Sequence, residues 1–167
     1  MTTLLENKVA LVTGAGSGMG KAIAIAFANE GAKVMLADFN ADSLAEVKDI
    51  IEAADQTAET VTADMSKPTD VGTMVKETVA KFGQLDILVN NAGIMDDFKT
   101  VGTTTDELWN RVMAVNLTGP FQACREAINI MKDQPNGGVI INNASVGGLF
   151  GARGGAAYAA SKHGLIG

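Results

Sequence analysis

Thr13-Gly14-Ala15-Gly16-Ser17-Gly18-Met19-Gly20 lies between a short apolar run, Lys8 to Thr13, and a longer amphipathic one, Gly18 to Asn29. A strand that enters a helix through a glycine-rich turn decides how the rest of the chain reads. Glycine reaches positive φ and lets a ligand approach the backbone, while free N–H groups at a helix start attract phosphate oxygens. The spacing is T-G-x-x-x-G-x-G rather than G-x-G-x-x-G, because Met19 takes the place of the third glycine when counting starts at Gly14. The loop reads as a pyrophosphate cradle, with Gly14, Ser17, Gly18, Met19 and Gly20 as its ligand-facing residues.

Downstream, Lys33 to Asp38 reads as a second strand and completes a βαβ unit. The alternation continues through a helix over Ala41 to Ala54, a strand over Glu59 to Ala63, a helix opened by Pro68 and running to Phe82, and a strand over Asp86 to Asn90. A long helix is expected over Asp106 to Met131, then a strand over Gly138 to Asn143 and a last helix beginning near Gly155. Such alternation predicts an α/β fold: a Rossmann-like doubly wound parallel sheet with helices on both faces and right-handed crossovers. No repeat or linker composition divides the chain, so residues 1–167 are expected to form a single nucleotide-binding domain. Ligands of such sheets sit outside the carboxyl ends of the strands, where the glycine-rich stretches at 14–20 and 147–155 fall.

Asp38 ends the second strand, 18 residues beyond Gly20, where a carboxylate can accept both ribose hydroxyls of an adenosine. A 2′-phosphate there would set like charges together, and neither Phe39 nor Ser17 nor Met19 offers a cation. At an effective dielectric near ~20 the repulsion costs on the order of several kcal/mol, which selects NAD over NADP. Phe39 is expected beside the same nucleotide.

The net charge is -6, with 47% hydrophobic and 19% charged residues. That balance argues against disorder, and no dense Lys/Arg block suits nucleic acid as a partner. No apolar run approaches the ~20 residues of a bilayer span, and Met1 to Lys8 has no stretch fit for a signal peptide, so no membrane association and a cytoplasmic location are expected. The lone Cys124 cannot close an internal disulfide and reads as an apolar filler, and His163, the only histidine, reads as a solvated helix residue. No Cys/His cluster is present, so no metal is expected.

Near the other end, Tyr158 and Lys162 are four positions apart, and Ser145 lies 13 positions before the tyrosine. On a helix, residues i and i+4 project from one face, so phenol and ammonium would meet one pocket. A free tyrosine titrates near ~10, and an ammonium ~5 Å away at an effective dielectric near ~20 favours the phenolate by roughly 3 kcal/mol. Through Thr13 to Gly20, Asp38, Asn90-Asn91-Ala92-Gly93, Asn116, Ser145, Tyr158 and Lys162, the chain resembles the short-chain dehydrogenase/reductase family along its whole length. The resemblance implies NAD-dependent interconversion of a secondary alcohol and a ketone, a small-molecule substrate. It implies that Tyr158 exchanges the substrate hydroxyl proton while hydride passes to the nicotinamide, that Ser145 holds the substrate oxygen, and that Lys162 also binds the nicotinamide ribose. By the same resemblance Asn116 helps hold a water that relays protons, although an Asn at Val115-Asn116-Leu117 also reads as a residue that distorts or caps its helix. Asn91, Ala92 and Gly93 would support the central strand and the adenosine ribose, and Asp64 would lie beside the adenine.

Members of that family continue beyond the tyrosine helix with two more strands and a substrate loop, whereas this sequence stops at Gly167. A C-terminally truncated version of a longer enzyme is therefore expected, lacking those strands and leaving the Gly138 to Asn143 strand as an unpaired edge. The rival reading is an NAD-binding fragment or regulatory module without turnover. By the same resemblance a homo-oligomer, dimer or tetramer in the full-length form, is expected through the helix from Asp106 and the Tyr158 helix. Ile94 to Val101 is mixed polar and apolar, which leaves polyol, hydroxysteroid, simple ketone and acyl thioester open as substrates.

Overall fold

A computed structural model describes residues 3–167, in which parallel strands and helices alternate. The order is β1 (Val9–Thr13), α1 (Gly18–Asn29), β2 (Lys33–Asp38), α2 (Ala41–Glu52), β3 (Ala58–Thr62), α3 (Pro68–Phe82), β4 (Ile87–Asn90), α4 (Asp106–Met113), α5 (Gly119–Met131), β5 (Val139–Asn142) and α6 (Ala156–Ile166). The strands lie in the order β3-β2-β1-β4-β5, every pair parallel. The expected doubly wound α/β fold is thus the observed one.

β1 is buried at every position, as a strand covered on both faces must be. Ala10 and Val12 point to one face, where Ala24 and Ala28 of α1 and Leu44, Val47 and Ile51 of α2 close the core. Leu11 points to the other, against Val71, Met74 and Val75 of α3 and Ala123, Ala127 and Met131 of α5. The Asn40 side chain caps α2 by accepting from the N–H groups of Asp42 and Ser43. Pro68 opens α3, and Gly83, with φ of 83°, ends it.

The expected helix over Asp106 to Met131 is interrupted. Ala114–Thr118 forms a wider turn in which the Gly119 N–H reaches back to the Ala114 carbonyl, five residues away. One extra residue is taken up there, and Asn116 is turned into the interior with no exposed surface. Elsewhere the expected boundaries shift by one or two residues, as frayed element ends do. β5 is an edge strand, with Val139 57% and Ile141 43% exposed. No described helix is long and apolar enough to cross a membrane.

Candidate active site

The carboxyl ends of β1, β2 and β4 open onto a cleft of about 390 Å³. Gly14, Ser17, Gly18 and Met19 line it from the loop, Asp38 and Phe39 from the end of β2, Asp64 from beyond β3, and Asn91, Ala92 and Gly93 from beyond β4. Gly14 has φ of 67°, the left-handed conformation that favours glycine. Gly20 is absent from the lining because it packs α1 onto the loop, where a Cβ would overlap the Gly14 carbonyl oxygen and lie 2.6 Å from the Asn91 amide nitrogen.

The Asp38 carboxylate accepts from the Gly16 N–H at 3.0 Å and from the Asn40 N–H at 3.1 Å. It thereby ties the glycine-rich loop to the end of β2 and keeps its remaining lone pairs for the cleft. Asp64 accepts from the Ser66 hydroxyl at 2.7 Å and the Ser66 N–H at 2.9 Å, with Lys67 3.7 Å away. Those hydrogen bonds, more than the lysine, hold its carboxyl below the ordinary carboxylate range. Open cleft, positive-φ glycine and strand-end carboxylate fit an adenine dinucleotide.

At the other end of the site, α6 brings Tyr158 and Lys162 to one side. The Lys162 ammonium lies 5.9 Å from the centre of the Tyr158 ring. It is almost fully buried and donates to the main-chain oxygen of Asn143 at 3.0 Å. Burial without a carboxylate partner pulls its pKa below the ordinary lysine value. A Cβ on Gly93 would sit 3.6 Å from the same nitrogen, so the ammonium borders the cleft lining. Ser145 caps the short turn Val146–Gly148, its hydroxyl oxygen accepting from the Gly147 N–H at 3.0 Å. A Cβ on Gly147 would lie 3.1 Å from the Tyr158 ring, so this turn rests on the phenol. Acceptance from Gly147 leaves the Ser145 O–H proton free to donate.

Asparagines join the two ends. The Asn91 side chain donates to the Thr13 carbonyl at 3.0 Å and accepts from the Asn143 amide at 2.9 Å. The Thr13 hydroxyl receives the N–H groups of Asn91 and Ala92. Asn116 grips Ile94 from both sides, accepting from its N–H at 2.8 Å and donating to its carbonyl at 2.9 Å, and also donates to the Ser161 hydroxyl at 3.2 Å. Both N–H bonds of its amide are therefore spent inside the protein.

Several lining residues escape a reading of the sequence: Met65, Ser66, Ile94, Val115 and above all Arg111. Arg111 adds a cation to the cleft, with no ion pair among the described residues. Its only local signal is an exposed position on α4, one turn before Val115. Cys124 is half-buried on α5, where burial raises its thiol pKa, and His163 bonds only to the Ala159 carbonyl of its own helix. No group of three or more His, Cys, Asp or Glu is placed to hold a metal among the described residues.

Residues 8–167 match the family model for short chain dehydrogenase. The chain is 41% identical over 164 residues to 3beta-hydroxysteroid dehydrogenase 2 of Eggerthella lenta, covering 98% of this chain and 63% of that protein. It is 37% identical over 168 residues to levodione reductase of Leifsonia aquatica, covering 99% of this chain and 62% of that protein. The crystal structure of a short chain dehydrogenase/reductase from Burkholderia phymatum in complex with NAD superposes with a TM-score of 0.93 at 34% identity, over 97% of this chain and 57% of that one. The chain thus spans less than two thirds of the length of these relatives.

Proposed function

Since this chain belongs to the short chain dehydrogenase family, we propose that the protein is an NAD-dependent oxidoreductase that interconverts a secondary alcohol and a ketone. The observation that carries this reading is the buried Lys162 ammonium, set between the Tyr158 ring and the cleft-lining Gly93. A lysine is kept in so dry a place, against its desolvation cost, where its charge has a task.

In this reading Gly14, Ser17, Gly18 and Met19 hold the pyrophosphate end while Gly20 packs α1 beneath them, Asp38 and Phe39 with Asn91, Ala92 and Gly93 hold the adenosine ribose, and Asp64 the adenine. When bound, NAD supplies the electrophilic ring that accepts a hydride. Tyr158 takes the proton of the substrate hydroxyl in oxidation and returns it in reduction. Lys162 sets its ammonium beside that ring and binds the neighbouring ribose. Ser145 donates its free O–H to the substrate oxygen and fixes it against Tyr158. Asn116 secures Ile94 and Ser161 around the pair. Relatives named for a hydroxysteroid and for levodione support a secondary alcohol or ketone as substrate. Exposed Trp109, Phe121 and Ile128 on α4 and α5 support homo-oligomerisation through that helical face.

The test is a panel of secondary alcohols with NAD and NADP, following the absorbance of the reduced nicotinamide, in the wild type and in Tyr158→Phe. NAD-dependent turnover that falls by about 10²–10⁴ in the variant, with NAD binding kept, is the expected result. Oxidation of no alcohol by the wild type, or equal turnover in the variant, would refute the assignment.

A further inference from the structure

We propose that Asp96 is a positioning residue for Tyr158, acting through the first turn of α6. Asp96 is completely buried, and its two carboxylate oxygens accept separately from the Gly155 N–H at 2.9 Å and the Tyr158 N–H at 2.8 Å. Gly155 is the residue that precedes the helix and Tyr158 its third residue. One distant carboxylate thus satisfies the two N–H groups that a capping box shares between two local side chains. Gly155 has no side chain for the task, and a Cβ there would lie 2.5 Å from both carboxylate oxygens. Among the described residues no basic side chain pairs with Asp96, so its charge is met by these N–H groups and the positive end of α6. A buried carboxylate held in this way resists separation from the helix, which would leave it unpaired.

The surrounding segment is shaped for the same contact. Asp97 and Phe98, consecutive and not glycine, have φ of 52° and 57°, conformations that side chains disfavour. They turn the chain back so that the Lys99 carbonyl accepts from the Ala156 N–H at 2.9 Å while the Lys99 N–H donates to the Asp96 carbonyl. The carbonyl of Tyr158 is tied to the same segment by another route: Ser161 donates to it at 2.8 Å, and the Ser161 hydroxyl is held by Asn116, which grips Ile94. Both main-chain polar groups of Tyr158 are therefore anchored to residues 94–99, a segment that also lines the cleft through Ile94. A plain helix cap would not account for the second anchor.

This inference rests on the proposed oxidoreductase activity, and its test separates the two. Asp96→Ala, Asp96→Asn and Gly155→Ala are compared with the wild type by amide hydrogen exchange, NAD binding and steady-state kinetics. We expect faster exchange at Gly155, Ala156 and Tyr158 with β1 and β4 unchanged, kcat lowered about 100-fold in Asp96→Ala, and KM for NAD within about twofold. Asp96→Asn, which keeps one acceptor, should recover part of kcat. Should Asp96→Ala fail to fold, the isosteric Asn variant and Gly155→Ala carry the same comparison. Uniform destabilisation with unchanged kcat per folded molecule, or unchanged exchange at the three amides, would overturn the proposal. A wild type that turns over no alcohol would instead sink the activity, while the exchange pattern would still decide whether Asp96 anchors Tyr158.

Discussion

The Lys162 ammonium donates to the main-chain oxygen of Asn143 at 3.0 Å, and the Asn143 side chain donates to Asn91 at 2.9 Å. Through Asn91 and its bond to Thr13, the lysine of α6 is linked to the start of the phosphate loop. Its charge is buried with a carbonyl, not a carboxylate, as partner. An amine whose folded pKa lies below its unfolded one binds fewer protons folded than unfolded between those values, so folding gains stability as pH rises across that interval. Urea unfolding of the wild type and Lys162→Met should show the difference shifting in favour of the wild type as pH climbs toward the ordinary lysine value. A difference independent of pH would contradict the burial of the charge.

In the proposed function Asp38 would set the choice between NAD and NADP. Asp38→Asn keeps an acceptor for the Gly16 N–H but removes the negative charge, and Arg111 remains as a cation in the same cleft. Relief of a few kcal/mol of repulsion should raise the affinity for NADP relative to NAD by about 100-fold. Fluorescence titration with each reduced cofactor measures the ratio, and an unchanged ratio would remove Asp38 from the nucleotide site.

Gly20 and Gly72 should respond in opposite directions to alanine. At Gly20 the added methyl meets the Gly14 carbonyl and the Asn91 side chain, whereas at Gly72, inside α3, no atom beyond its chain neighbours and its own helix backbone lies within 4 Å. Gly20→Ala should cost about 1–3 kcal/mol and weaken NAD binding, while Gly72→Ala should stabilise by about 0.5–1 kcal/mol. Thermal unfolding of the two variants side by side checks the signs.

Asn116→Ala would strand both the N–H and the carbonyl of Ile94. Each buried group left without a partner costs about 1–3 kcal/mol, so the urea midpoint should fall clearly. Asn116→Asp retains the acceptor but sets a buried carboxylate oxygen against the Ile94 carbonyl, so its midpoint should fall at least as far as that of the alanine variant.

Strands β1, β2, β4 and β5 were legible as short apolar runs with turn residues at their ends, and helices cover both faces of β1, so no polar alternation confuses the pattern there. Gly14, Asp38, Tyr158 and Lys162 were legible because their chemistry is local: a turn, a strand end, one helix face. The widened turn at Ala114–Thr118 was legible only as the alternative that Asn116 distorts its helix, since the partners that hold it, Ile94 and Ser161, lie 22 and 45 residues away. Asp96 was hidden for the same reason. Its neighbours Met95, Asp97 and Phe98 read as a mixed polar and apolar stretch, and only the folded chain sets its carboxylate under α6. Arg111 gave no signal because an arginine on an exposed helix face is ordinary until a cleft opens beside it.

The swollen turn also separates what this stretch does for architecture from what it does for chemistry. A helix that takes up one extra residue locally leaves its flanks in phase, so deleting a single residue between Ala114 and Thr118 would let the segment wind evenly with Val112 and Ala123 still facing inward. Such a shortened protein would keep its shape and lose its grip on Ile94. Length variation here is therefore a lesion of the candidate site in a scaffold that survives it.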